Sequence, residues 1–196
     1  MFSGSMVALV TPMQKDGSVD QQALKRLIDF HVEAGTDGLV IAGTTGESAT
    51  LTKPEHAELI FKAVQIADGR IPVIAGTGSN ATAQTLDLSK AVESSGAKAF
   101  LVVTPYYNKP TQEGLYRHFS TIADNVSVPL VLYNVPGRTG CDMLPATVAR
   151  LAPHPNIIAI KEAVGDPQRC KELVERCGDQ IDVFSGDDPT ILEFFR

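Results

Sequence analysis

Short apolar runs and amphipathic runs alternate along the chain. Seven stretches read as strands, each closing on Thr, Gly, Pro or a polar residue: MVALVTP, GLVIAGTTGE, PVIAGTG, AFLVVTPYY, PLVLYNVPGR, IIAIKEA and DVFSGDD. Between them lie helix-like segments. In DQQALKRLIDFHVEAG, residues Leu24, Leu27, Ile28 and Val32 fall at helical spacing and Gly35 supplies the stop. Further helices are predicted in KPEHAELIFKAVQIADG, ATAQTLDLSKAVESSG, TQEGLYRHFSTIADNV, MLPATVARLA and DPQRCKELVERCG.

The strand candidates are apolar on both faces, as expected of a parallel sheet covered on each side, so the fold class is α/β. A dinucleotide-binding loop of the form G-x-G-x-x-G is missing after the first strand, and GTGSNA after the third is not a Walker loop. Polar residues instead close many successive strands: Thr11, Thr44, Thr45, Thr77, Thr104, Tyr133, Lys161 and Ser185. That distribution predicts a (β/α)8 TIM barrel, whose site is assembled on one face from several strand ends. The count stops one strand short. After DVFSGDD only PTILEFFR remains, enough to start a helix, and such barrels typically take about 250 residues. The expectation is a single barrel domain over residues 1–196, truncated after the seventh strand and incomplete at its C-terminus, with apolar surface exposed at an open edge.

Composition narrows the function classes. The net charge is −6 and no window gathers Lys and Arg into a basic stripe, which argues against a nucleic-acid partner. The three cysteines, Cys141, Cys170 and Cys177, form no C-x-x-C pair, so free thiols in a reducing compartment and no metal site are expected. The N-terminal stretch lacks a basic region with a long apolar core, and no apolar run approaches the roughly 18 residues of a membrane helix. A soluble, cytoplasmic chain without membrane partners is the expectation.

Candidate chemistry starts at IIAIKEA, where an oily strand runs into Lys161 and Glu162. A strand-end lysine is ordinarily a salt-bridge partner or a snorkelling side chain. Adjacent strand residues point to opposite faces, however, so Glu162 is badly placed to pair with Lys161. Among apolar neighbours the charged amine is disfavoured, its pKa falls, and it becomes able to attack a carbonyl and form a Schiff base. Such a site needs a proton donor. Tyr133, closing the preceding strand, is a candidate donor or an ordinary core tyrosine, and both readings stand on the residues alone. In GTTGES, Gly43 and Gly46 are expected to let the backbone turn tightly, while Thr44 and Thr45 add hydroxyls suited to a carboxylate. Arg138, placed on a loop after the Tyr133 strand, carries a planar fork for a second carboxylate, although solvated loop arginines are common.

With those residues in place, the sequence resembles the dihydrodipicolinate synthase family, within the pyruvate-dependent aldolase superfamily that includes N-acetylneuraminate lyase. GTTGES, VTPYYNKP, YNVPGRTG and IKEA carry the likeness, in family order and spacing, over nearly the full length. The resemblance implies that Lys161 forms an imine with pyruvate, without a further cofactor, and that Tyr133 is the proton donor. Thr44 would relay protons to Tyr107, which in this family reaches across a subunit interface. Thr45 would help hold the pyruvate carboxylate, Gly186 would be a further substrate-binding position, and Arg138 would bind the carboxylate of L-aspartate 4-semialdehyde. The implied product is 4-hydroxy-tetrahydrodipicolinate, the first committed step toward diaminopimelate and lysine, made by a homo-oligomer that is a dimer of dimers in the family. A related aldolase acting on a sugar acid, or an inactive fragment of the enzyme, are the alternatives. Arg138 with the Tyr106-Tyr107 pair favours the synthase over the sugar-acid lyase.

Many family members are inhibited by lysine at a dimer-interface pocket, which Ser48, Ala49, His56, Asn80 and Tyr106 match. Two positions depart: Lys53 stands where sensitive bacterial members often carry His, and Gln84 where they often carry Glu. Losing a carboxylate opposite a cationic ligand weakens binding by about 1 to 3 kcal/mol when the pair is desolvated. Feedback by lysine is therefore expected to be weak or absent, and a lysine titration of activity with a tight midpoint overturns that expectation.

Overall fold

The structure, a computed structural model, describes residues 2–194; Met1 lies outside the described residues, as do Phe195 and Arg196 at the end of PTILEFFR. The strands are β1 (Met6–Ala8), β2 (Gly38–Ile41), β3 (Val73–Gly76), β4 (Ala99–Val103), β5 (Leu130–Asn134), β6 (Ile157–Glu162) and β7 (Asp182–Ser185). Each falls inside a stretch that the apolar pattern marks. The helices are α1 (Gln21–Glu33), α2 (Lys53–Ala67), α3 (Thr82–Val92), α4 (Gln112–Asn125), α5 (Pro136–Thr139), α6 (Pro145–Leu151), α7 (Pro167–Cys177) and α8 (Ile191–Phe194). All but α5 coincide with predicted helices, the single turn of α8 lying where PTILEFFR is expected to start one. This alternation of strand and helix, with parallel pairing, is the repeat of a (β/α)8 fold carried to its seventh strand.

Contacts cluster in two bodies where the pattern of elements suggests one domain: Met1–Thr77 with Leu88–Leu101, and Gly78–Asp87 with Val102–Arg196. In the first, β1, β2, β3 and the start of β4 pair in parallel, with Val7 opposite Leu39, Leu39 opposite Val73 and Ala75 opposite Phe100. β2 and β3 are buried throughout, which is why their residues are apolar on both faces. α1 starts where the Asp20 carboxylate accepts from the Ala23 N–H, and it buries Leu24 and Ile28, one turn apart. α2 starts with a capping box in which Glu55 accepts from the Thr52 N–H at 2.9 Å, and it buries Leu59, Ile60 and Ala63. Burying each such Leu or Ile contributes about 1.5 to 3 kcal/mol.

In the second body β5, β6 and β7 pair in parallel, and the Thr104 N–H just past β4 donates to the Tyr133 carbonyl. α4 begins at the Thr111 cap and buries Leu115, Phe119 and Ile122, while α7 begins at Asp166 with Pro167 in its first turn. β7 is half-buried along its length, and Val174 and Leu192 are exposed, apolar surface of the kind expected beside an edge strand. Cys141 and Cys177 are buried and Cys170 is half-buried, all three as free thiols; burial pushes Cys170 up to about 11. No described helix is long and apolar enough to cross a membrane.

His118 on α4 is buried, its Nδ1 lies 2.9 Å from the Thr82 hydroxyl, and among the described residues its Nε2 has no hydrogen-bond partner. Burial lowers its pKa from 6.5 to about 4. A histidine kept neutral in the fold binds protons more readily when unfolded, so stability falls as pH drops from about 6.5 toward 4. The melting temperature is expected to decline across that window, and His118→Gln to flatten part of the decline, as scanning calorimetry at several pH values would read.

Candidate active site

The site in the second body is set by an irregularity in one strand pair. Leu130 pairs with Ile157, yet Val131 pairs with Ala159, so β6 carries one extra residue, Ile158, at the start of the ladder. From there the register runs Tyr133 opposite Lys161 and Asn134 opposite Glu162. Without the bulge Tyr133 would stand beside Ile160 and the amine would face the other way. With it, the Lys161 Nζ sits 4.8 Å from the centre of the Tyr133 ring. Tyr133 is buried and Phe184 of β7 pairs with Lys161 on its other side.

Burial in these surroundings holds the Lys161 pKa below the ordinary lysine value of 10.5, and the charge of Asp188 opposes the shift. Gly186 lies against the same side chain: a Cβ there would stand 2.8 Å from Lys161 Cε, so only a bare α-carbon lets the loop after β7 approach so closely. Glu162 points away from Lys161, as the strand alternation requires. Its carboxylate accepts from the Asn134 amide and the Val164 N–H, and Arg169 stands 3.9 Å away. Burial raises the Glu162 pKa despite these donors, whereas the bidentate Arg169 guanidinium holds Asp142 below the usual carboxylate range.

Arg138 does not sit on an irregular loop. It occupies the short helical turn α5, where Pro136 presets the first residue and the Arg138 N–H donates to the Val135 carbonyl. Its side chain is exposed. Tyr107 is 88% exposed and held at a positive φ of 75°, a costly conformation for an aromatic residue. Its N–H donates to the Thr139 carbonyl at 3.0 Å, which anchors the strained residue to α5. Tyr106, next to it, is half-buried. Asn80 accepts from the Asn108 amide through its carbonyl, and Gln84 Oε1 accepts from the Ser79 hydroxyl.

The first body holds Thr44 and Thr45, both exposed, on the loop that leaves β2. The left-handed residues of this turn are Ala42 and Glu47, not Gly43 or Gly46. Gly46 is needed for another reason. A Cβ there would lie 3.0 Å from the Leu9 carbonyl oxygen, and the Gly46 carbonyl accepts from the Thr11 hydroxyl at 2.7 Å. Ser48 and Ala49 start a short turn after it, and His56 on α2 is buried with Nε2 2.7 Å from the Gly76 carbonyl. Among the described residues no cluster of three or more His, Cys, Asp or Glu side chains could hold a metal.

Sequence reasoning passed over Asn134, Asp142, Thr139, Arg169 and Asp188. One signal was available: Asn134 and Glu162 directly follow Tyr133 and Lys161 at the ends of adjacent strands, so whatever pairs the first two also pairs the second.

A model of the dihydrodipicolinate synthetase family matches residues 1–196. A 4-hydroxy-tetrahydrodipicolinate synthase of Pelobacter propionicus is 59% identical over 188 residues, covering 96% of this chain and 64% of its own length. A chloride-inhibited dihydrodipicolinate synthase from Acinetobacter baumannii, solved in complex with pyruvate, superposes with a TM-score of 0.97 at 52% identity, over 99% of this chain and 67% of that one. The enzyme from Cyanidioschyzon merolae, solved with lysine bound, gives a TM-score of 0.95 at 39% identity, over 99% and 66%. The chain thus spans about two thirds of the length of the relatives it matches.

Lys161 is expected to react with a small carbonyl reagent with a pH midpoint below 10.5, the free amine declining tenfold per pH unit beneath its pKa. Gly186→Ala places a Cβ 2.8 Å from Lys161 Cε and 3.0 Å from Ala163 Cβ and is expected to slow that reaction about tenfold. Mass-spectrometric mapping of the modified lysine against time and pH reads both.

Proposed function

Because the chain belongs to the dihydrodipicolinate synthetase family, we propose that it carries the Schiff-base chemistry of a 4-hydroxy-tetrahydrodipicolinate synthase, within a single barrel domain. The observation that carries this reading is the half-buried Lys161 amine beside the Tyr133 ring on the bulged strand pair. Lys161 Nζ attacks the C2 carbonyl of pyruvate, a carbinolamine forms, and water leaves once its hydroxyl is protonated. Tyr133 is the proton donor for that step. Loss of a methyl proton from the imine gives an enamine, whose carbon attacks the aldehyde of L-aspartate 4-semialdehyde and forms the new carbon–carbon bond. The amino group of the condensed product then attacks the imine carbon, closing the ring of 4-hydroxy-tetrahydrodipicolinate and releasing Lys161 as a free amine. No cofactor beyond the lysine is needed.

Arg138 binds the semialdehyde carboxylate through its two parallel N–H groups. Its exposure in α5 suits a residue met by an incoming substrate. Thr45 holds the pyruvate carboxylate, and Thr44 relays protons with Tyr107. The exposed, strained Tyr107 suits a side chain that completes the site of a neighbouring subunit in a homo-oligomer. Gly186 admits substrate by keeping the wall beside the amine thin. The product feeds the diaminopimelate and lysine route in the cytoplasm. Ser48, Ala49, His56, Asn80, Gln84 and Tyr106 are the positions that match the family's lysine site, with feedback by lysine weakened. Gln84 offers an amide, already engaged by Ser79, where a carboxylate would attract the ligand's ammonium.

Incubation with pyruvate and borohydride is expected to leave a reduced adduct on Lys161, mapped by peptide mass spectrometry. The adduct should be absent from Lys161→Arg. A folded chain that takes no label overturns the imine reading. A labelled chain that condenses with sugar-derived aldehydes but not with aspartate semialdehyde points to the sugar-acid aldolase instead.

A further inference from the structure

Asn134 and Glu162 occupy the rung of β5 and β6 that follows Tyr133 and Lys161, and both are buried. The Asn134 side chain has two N–H groups. One points to Asp142 Oδ1 at 2.8 Å, and the other is shared between the two Glu162 oxygens, each 3.1 Å from the nitrogen. The Asn134 oxygen accepts from the Met143 N–H at 3.0 Å. Arg169 closes the cluster with two 2.8 Å hydrogen bonds to Asp142. One amide therefore fastens the ends of two strands to residues 142–143.

Residues 142–143 are the far end of the segment that leaves β5 at Val135 and carries Arg138. Its middle is also held: the Cys141 thiol donates to the Pro105 carbonyl, the Thr139 hydroxyl donates to the Cys141 carbonyl, and Thr139 O receives the Tyr107 N–H. Arg138 and Tyr107 thus ride on a platform whose outer end is fixed by the Asn134 and Glu162 pair. Burying a carboxylate here costs stability that an apolar side chain would not. What it adds is direction, because hydrogen bonds fix an angle that apolar contact leaves free.

We propose that Glu162 is a positioning residue for the condensation: through Asn134 it fixes the 135–143 segment, and with it Arg138, relative to the strand that carries Lys161. Glu162 does not touch the reacting atoms, since its side chain leaves β6 on the face opposite the amine. Capture of the second substrate depends on it, and imine formation with pyruvate does not. The inference rests on the Schiff-base reading given above.

The test uses Asn134→Asp, Glu162→Gln and the double variant N134D/E162Q, with two readouts. Amide hydrogen exchange over residues 138–143 reports the platform. The aspartate semialdehyde concentration that halves the borohydride-trapped pyruvate adduct reports capture of the second substrate. Asn134→Asp sets a carboxylate against Glu162 and Asp142; it is expected to speed exchange about tenfold and raise the halving concentration about tenfold, with pyruvate trapping within about twofold. The double variant returns a donor to this pair from the opposite strand but leaves the carboxylate at 134 facing Asp142, so partial recovery of both readouts is expected; the split between semialdehyde capture and pyruvate trapping is what a merely structural contact would not give. Glu162→Gln keeps the volume and should shift both readouts less, in the same direction; it decides the matter should Asn134→Asp not fold. Unchanged exchange and halving concentration in the single variants, equal losses in both reactions, or no recovery in the double variant overturn the proposal. A parent chain that takes no pyruvate label sinks the imine reading, and the exchange data with the double variant then decide alone whether Glu162 positions the segment.

Discussion

An amine and a carboxylate that are neighbours in sequence cannot neutralise each other when they end a buried strand, because the strand sends them to opposite faces. Most of what is distinctive in the second body answers that constraint. On one face Lys161 meets Tyr133, Phe184 and the bare α-carbon of Gly186, and loses affinity for its proton. On the other, Glu162 is given an amide, a backbone N–H and a guanidinium. The same dipeptide is thus desolvated on one side and hydrogen-bonded on the other.

The elements were legible in the sequence because each signal was local. Seven apolar runs and the Gly35 stop act within a few residues of where they are read, and the Asp20 and Thr111 caps and the Thr52 and Glu55 box that the structure adds are equally local. The candidate chemistry at Lys161 was legible for a related reason: an ammonium at the end of an oily run needs an explanation wherever the strand lies. What could not be read was anything decided by a second segment. The bulge at Ile158 leaves no mark on IIAIKEA, whose residues fit a regular strand equally well, and it appears only when β6 is laid against β5. The turn after β2 shows the same limit. The tight turn expected at Gly43 and Gly46 takes its left-handed residues at Ala42 and Glu47, while Gly46 is small because the Leu9 carbonyl, just past β1, approaches it.

Strain and exposure coincide at Tyr107, and its support comes from an unexpected quarter. A positive φ in an aromatic residue persists only where the surroundings hold it. Here the holding group is the Thr139 carbonyl, on the turn that carries Arg138. A sequence shows Tyr107 and Arg138 as separate motifs thirty-one residues apart, while a backbone hydrogen bond ties Tyr107 to the residue after Arg138.

The bulge at the head of β6 sets a rule for how this chain tolerates change. Ile158 is the extra residue, so a strand that lost it would pair regularly and still set Ala159 against Val131 and Lys161 against Tyr133. A strand that kept every residue but paired without a bulge from Ile157 would instead set Ile160 against Tyr133 and Lys161 against Asn134, exchanging the two faces. What this strand must preserve is therefore the partner of each residue, and a one-residue gap at Ile158 is the change of length that leaves those partners in place.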